Sequence, residues 1–528
     1  MITLNKRVIF IYTLFVCCFA FLLARVVWLN FSVYSEAGKE RSTRTLTVGE
    51  RRGKIYDRNY KSLVESEEKL LAVVVPSAGS LDFMRKHFTD EEIKDKIHKG
   101  FPFIVETEEK VNTEFIRTFS VPLRYSENQT AVHIIGYTDK DKKGVSGIEK
   151  AFDSYLTEHS GKLTVTFDCD RTGRILAGMD KRINDINFTS KAGVVLSIDK
   201  DIQKITETAL KESEIKSGTA IVMKVHSGEI LALASYPTYN PQKVAKALNE
   251  ENSPLLNKAL YAYSPGSVFK PLVAAAALEY GISPDFSYEC TGEITVGDRK
   301  FSCYNHNAHG KINMTEALEE SCNTYFVNLI MHTDTELLIS LCEKLGITQS
   351  VNLASTIASQ KGVLPKRESL SLKGVLANLS FGQGELLITP IKMAEIYHTL
   401  STGNYLPSKL IMGFTNYMGL MTPEKDTLPI KLLSDNTVKE IRRMLESVVE
   451  NGKADKAYSD LVSLSGKTGT AQSGIYENGK EILRTWFAGF FPSGNPNYIV
   501  IVMNENGSGG NTDCAPVFKK ICEGIVTR

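Results

Sequence analysis

The sequence has almost no net charge. Its 62 Lys and Arg stand against 61 Asp and Glu, leaving +1 with histidine neutral. No bulk field therefore favours nucleic acid as a partner. There is no Cys-x-x-Cys pair and no short zinc-ligand spacing, although the chain holds nine cysteines. Neither a metal nor a cofactor is expected on that pattern. No fixed-period repeat or low-complexity tract is visible, which argues against a repeat array. Composition is otherwise that of a globular protein, 42% hydrophobic and 23% charged over 528 residues. That length exceeds one ordinary core and predicts two or three domains.

One segment is not globular. Val8 to Ala24 (VIFIYTLFVCCFAFLLA) carries no charge, and apolar character resumes past Arg25 to Leu29. As a helix, residues 8–29 would extend about 33 Å, enough to cross a bilayer. Lys6 and Arg7 flank its amino end, so residues 1–7 are expected to form a cytoplasmic tail with the rest of the chain outside. Arg25 lies near the outer edge, where it can snorkel. A cleaved signal peptide is the alternative. The run is long for that, and no clean small-x-small cleavage site follows.

Cys17 and Cys18 fall in this span, and the other cysteines are thinly spread. An exported domain permits disulfides. Outside the span, Cys290 and Cys303 face each other across a Gly-rich turn (CTGEITVGDRKFSC). They are the candidate disulfide; two free thiols is the other reading.

Residues 30–190 are mixed, with a strand-like run at 70–76 (LLAVVVP) and a charged helical stretch at 89–99 (TDEEIKDKIHK). The segment RRGKIYDRN at 51–59 reads as a solvated hairpin. From residue 191 the pattern sharpens. AIVMKV (220–225) and EILALAS (229–235) form one predicted hairpin, and TWFAGFFP (485–492) with YIVIVMNE (498–505) another. SLSGKTGTAQ (463–472) reads as a strand before the second hairpin, and 515–526 as a closing helix. Strands at both ends with helices between them predict an α+β domain, an antiparallel sheet flanked by helices.

Three clusters carry chemistry. In YSPGSVFKPL (263–272), Pro265 and Gly266 break structure, so a helix can begin at or near Ser267. Lys270 then lies one turn deeper on the same face, half buried by the apolar run that follows. Burial helps a lysine lose its proton, so the pair can serve as nucleophile and base. Ser-x-x-Lys also occurs at Ser66–Lys69 and Ser213–Lys216, in charged surroundings read as solvated helix. The second cluster is Ser321-Cys322-Asn323, at the head of an apolar run. A short loop between helices could aim Ser321 and Asn323 into a cleft; a helix N-cap serine is the plain alternative. The third is Lys467-Thr468-Gly469-Thr470. Gly469 permits close approach of a substrate or another backbone. Two hydroxyls beside a cation would suit a carboxylate, and an edge strand is the plain alternative.

Taken in this order, the three clusters resemble the motif set of penicillin-recognising serine enzymes. NKALYAYSPGSVFKPL, HGKINMTEALEESCNTYF, SFGQGELLITPIKMA, SGKTGTAQ and WFAGFFP resemble the transpeptidase domain of penicillin-binding proteins. RRGKIYDRN and GVSGIEKAFDSYL (144–156) resemble the pedestal, or dimerisation, domain of the class B members. The resemblance covers nearly the whole chain and leaves no room for a class A glycosyltransferase domain. It implies a transmembrane helix at 8–29, a pedestal at 30–190 and a β-lactamase-like transpeptidase domain at 191–528.

It also implies a chemistry. Ser267 would attack the penultimate D-alanine of a peptidoglycan stem peptide, with Lys270 as base and Ser321 as proton relay to the leaving amine. Asn323 would hold the substrate amide. Lys467 would raise the positive potential and help keep Lys270 neutral, while Thr468 and Thr470 bind the terminal carboxylate. The backbone N–H groups of Ser267 and Thr470 would form the oxyanion hole. β-Lactams would acylate the same serine. A polytopic membrane glycosyltransferase is the expected partner. The competing readings are a membrane-bound β-lactamase or β-lactam sensor, and a non-catalytic cell-wall scaffold. No water-activating group for deacylation is identifiable, and the pedestal-like region is far too large for a simple lactamase.

Overall fold

The computed structural model describes residues 6–31, 43–170, 172–175, 181–477 and 479–528. Most of the predicted cytoplasmic tail, and residues 32–42 and 176–180 of the predicted pedestal, lie outside the described residues.

Helix α1 (Lys6–Phe31) contains the predicted span. Val8–Leu29 has a mean hydropathy of 2.3 and is long and apolar enough to cross a membrane. Its side chains are exposed in the chain, Phe15 by 74%, as a lipid-facing helix requires.

Contacts divide the chain into two compact units. The first comprises 1–52, 67–124 and 159–190; the second comprises 53–66, 125–158 and 191–528. The first unit holds two three-stranded antiparallel sheets. Thr43–Arg51, Gly161–Asp168 and Arg182–Ile186 make one; Phe103–Thr107, Glu67–Val74 and Ile116–Leu123 make the other. The expected charged helix is Asp90–Lys99. Its capping box pairs Thr89 with Glu92, and Gly100 in the left-handed region ends it. Lys69 of the first spare Ser-x-x-Lys match lies in a strand, and Ser213–Lys216 lies in a turn, so neither is helical.

The second unit is built on a five-stranded antiparallel sheet. Its strands are β1 (Gly218–Lys224), β2 (Ile230–Tyr236), β3 (Ser465–Glu477), β4 (Lys480–Phe491) and β5 (Tyr498–Gly507), in the order β2-β1-β5-β4-β3. Ile499–Met503 are all fully buried. A strand without a solvent-facing residue needs cover on both faces. Two groups of helices supply it: α2 (Lys200–Lys211) with α8 (Ala515–Val526), and α3 (Lys270–Tyr280) with α6 (Pro390–Thr402) and α7 (Asp435–Glu450). Between α3 and α6 run α4 (Met314–Glu319) and α5 (Asn323–Met331). This is the α+β arrangement predicted for the domain.

The segment at 51–59 departs from the solvated hairpin expected of its charge. Lys54–Tyr56 pairs in parallel with Gly193–Leu196 inside a four-stranded sheet of the second unit. Asp57 is fully buried. It accepts from the amides of Asn59 at 2.8 Å, Lys61 at 2.7 Å and Lys200 at 3.1 Å. The Asp57 charge holds a turn and the start of α2; it does not face water.

Phe487 of β4 and Phe518 of α8 pack with ring centroids 4.3 Å apart and planes tilted by 37°, and both are fully buried. Phe518→Ala is expected to destabilise the second unit by about 3–5 kcal/mol, read as a lower midpoint in denaturant unfolding.

Candidate active site

Ser267 does not open an α-helix directly. It lies in a 3₁₀ turn, Gly266–Phe269, and α3 begins at Lys270. Gly266 has φ of +58°, where a side chain would be strained, and a Cβ there would also meet Thr470 O at 2.9 Å. Three hydrogen bonds from distant elements fix this turn. The Trp486 indole donates to Ser264 O at 3.0 Å, Gly266 N–H to Gly382 O at 2.9 Å, and the Tyr397 hydroxyl to Val268 O at 3.0 Å.

Lys270 is fully buried rather than half buried. Its Nζ donates to Ser321 O at 2.6 Å, Asn323 Oδ1 at 2.8 Å and Ser321 Oγ at 3.3 Å. It sits 5.5 Å from the centroid of the Phe326 ring. The first two sequence clusters therefore meet. Burial pushes the Lys270 ammonium down to about 7; Cys322 and Cys303 pull the other way, and the cation of Lys453 adds a smaller push down. Lys453, which the motif reading did not single out, pairs with Glu320 at 2.8 Å.

Ser321 has φ of +55°. For a non-glycine residue this is an uncommon conformation that the surroundings must hold. It places Ser321 between α4 and α5, in the short loop the sequence suggested. The N-cap of α5 is Cys322, whose Sγ accepts from Tyr325 N–H at 3.4 Å. Asn323 uses its Nδ2 on Ser302 O at 3.0 Å, so its amide is fixed at both ends.

Lys467, Thr468, Gly469 and Thr470 lie on β3, against the Ser267 turn. A Cβ on Gly469 would meet Pro265 O at 2.8 Å and Val268 Cγ1 at 3.0 Å. The close approach permitted by Gly469 is thus that of the Ser267 turn. Lys467 is fully buried, its Nζ donating to Thr468 O at 3.3 Å and Thr468 Oγ1 at 3.4 Å. Burial holds it well below the usual lysine range, with Lys270 and then Lys453 adding repulsion. Thr468 is nearly buried, while Thr470 is exposed and accepts from Gly510 N–H at 3.3 Å.

The candidate disulfide is absent. Cys290 and Cys303 are free thiols with sulfurs 3.8 Å apart, against about 2.05 Å for a bond. They lie with Cys322 and His309 in one group whose sulfur and nitrogen atoms are all within 4.8 Å of one another.

Residues 218–523 match the model of the penicillin binding protein transpeptidase domain. The chain is 33% identical over 413 residues to the peptidoglycan D,D-transpeptidase FtsI of Buchnera aphidicola subsp. Schizaphis graminum, over 75% of this chain and 68% of that one. It is 26% identical to FtsI of Escherichia coli K12, over 96% of this chain and 89% of that one. Among solved structures, penicillin binding protein 3 of Mycobacterium tuberculosis, complexed with aztreonam, shares the fold. Its TM-score is 0.67 at 22% identity, over 92% of this chain and 97% of that one. The chain belongs to the family of penicillin-binding protein transpeptidases. Within it, the match to FtsI along nearly the whole length makes it a class B member.

Gly469→Ala is expected to cost about 1–3 kcal/mol through overpacking against a backbone oxygen. Gly494→Ala, with nothing within 4 Å of its Cβ position, should stay within about 0.5 kcal/mol of the parent. Paired unfolding curves check both.

Proposed function

We propose that this protein is a membrane-anchored peptidoglycan D,D-transpeptidase working through an acyl-enzyme at Ser267. The observation that carries the reading is the convergence on Lys270. A buried amine one residue past the Ser267 turn is held by Ser321 and Asn323 and carries a pKa lowered to about 7. A lysine so placed can be neutral near pH 7 and accept the Ser267 proton as Oγ attacks the penultimate D-alanine carbonyl. The tetrahedral oxyanion is received by the N–H groups of Ser267 and Thr470. Such donors contribute about 3–4 kcal/mol each. Ser321 Oγ, 3.3 Å from Lys270 Nζ, passes the proton to the departing D-alanine amine. The carbonyl carbon remains bonded to Ser267 Oγ until an amine from a second stem peptide attacks and restores the serine.

Asn323 holds the substrate amide, and Thr468 and Thr470 bind the terminal carboxylate. Lys467 is disfavoured as a cation beside Lys270 in the absence of substrate. An arriving carboxylate supplies the missing counter-charge. β-Lactams present the same carbonyl and carboxylate and acylate the same oxygen. Residues 8–29 anchor the chain with its amino end in the cytoplasm, and residues 30–190 serve as the pedestal to a transpeptidase domain at 191–528. The exposed apolar surface of α1 is where a polytopic membrane glycosyltransferase would dock.

Incubated with a labelled penicillin, the protein should gain one stable adduct by intact mass, and Ser267→Ala should gain none. An adduct that clears within seconds would indicate a β-lactamase, and no adduct in either protein would favour a scaffold. The pH dependence has a definite sign. Protonated Lys270 is no base, so the acylation rate should rise as pH passes about 7. An acylation rate with no rising limb near pH 7 would count against Lys270 as the base.

A further inference from the structure

Cys290, Cys303, His309 and Cys322 come from four separate places in the second unit. Cys290 ends the strand Tyr288–Cys290, and Cys303 directly follows the strand Arg299–Ser302. His309 directly precedes Gly310–Ile312, which pairs with the first of these strands. Cys322 caps α5. Three sulfurs and one imidazole nitrogen nevertheless lie within 4.8 Å of one another, and all three thiols are buried.

The separations are those of a coordination shell. Sulfurs at about 2.3 Å from a tetrahedral ion are about 3.8 Å apart, and a sulfur and an imidazole nitrogen about 3.5 Å. Cys290 and Cys303 are 3.8 Å apart, Cys303 and Cys322 3.6 Å, and Cys290 Sγ and His309 Nδ1 3.3 Å. The surroundings suit such a shell. Thr324 Oγ1 lies 3.1 Å from Cys290 Sγ and 3.3 Å from Cys322 Sγ, placed to donate to a thiolate. Cys322 also receives the Tyr325 amide at the positive end of α5. The other nitrogen of His309 faces the Glu320 carboxylate at 3.8 Å, the side on which a ligating imidazole keeps its N–H. Buried cysteines as simple fillers would not require a histidine nitrogen and three sulfurs to converge.

We propose that these four residues bind one zinc ion as a closed Cys₃His site. Three thiol protons are released on binding, and the ion with three thiolates and a neutral imidazole carries a net charge of −1. With four protein ligands there is no open position, so the ion is structural and takes no part in bond making. Its consequence is positional. Cys322 stands between Ser321 and Asn323, and Asn323 is tied to the carbonyl of Ser302, next to Cys303. The ion fastens the two small hairpins to the loop that delivers Ser321 and Asn323 to Lys270.

Metal analysis of the full-length protein in detergent is expected to find about one zinc per chain. Cys303→Ser and His309→Ala should each bind zinc at least about tenfold more weakly, while Cys342→Ser, a buried thiol elsewhere, keeps it. Because a ligand variant can fail to fold, the parent exchanged into cobalt gives a second reading, the intense visible absorption of tetrahedral thiolate-bound Co²⁺. Four results would overturn the site: a protein with neither zinc nor the cobalt spectrum, zinc retained by both ligand variants, iron in place of zinc, or a Cys290–Cys303 disulfide by mass. Stripping zinc should also slow acylation by a labelled penicillin about tenfold, with recovery on adding zinc back. An unchanged rate in metal-free protein would overturn the positional role. Only that last readout rests on the serine mechanism proposed above; metal content and the cobalt spectrum do not.

Discussion

A buried ammonium group organises the catalytic unit. Lys270 has no access to water, so its N–H groups must be satisfied from within or the charge must be given up. The chain does some of each. Two side chains and a carbonyl from the Ser321–Asn323 loop take its protons, and desolvation brings its pKa towards neutrality. That demand explains features with no obvious purpose in isolation: a serine held at positive φ, an asparagine bonded at both ends, and a strand whose glycine makes room for the Ser267 turn.

Much of this was legible in the sequence because it is local. Pro265-Gly266 before Ser267, an apolar run after Lys270, and alternating apolar strands around residues 218–236 and 485–505 each state their structure within a dozen residues. The span at 8–29 is legible for the same reason. The helix expected at or near Ser267 opens there as a 3₁₀ turn before α3, a detail hidden because 3₁₀ and α openings share one pattern of turn residues. The full burial of Lys270 escaped too, since it depends on Phe326 and the α4–α5 loop, which are distant in sequence.

Other features were hidden because they are set by tertiary contact. Arg51–Asn59 looks like surface by its charge, yet Asp57 is among the most buried acids. Three backbone amides replace its water, and nothing in the local pattern announces them. Lys453 is an ordinary lysine in sequence and acts on Lys270 only through space. The cysteine cluster is the sharpest case. Its spacing fits no short motif, because two hairpins and a helix cap, rather than one loop, bring the four residues together. Of the two readings of Cys290 and Cys303, a bonded pair or two free thiols, the structure has the second, with the two sulfurs as neighbours.

The strand order of the five-stranded sheet bears on how the protein is made. The first hairpin, β1 and β2, is synthesised early, but β1 pairs next with β5, the last strand of the chain. Until the C-terminal residues emerge, the buried edge of that hairpin has no partner. A nascent chain thus carries an open, apolar strand edge through most of its synthesis, a form prone to pairing with the wrong partner. Loss of the final strand and helix would remove the middle of the sheet rather than its rim. The sheet closes only once β5 is present.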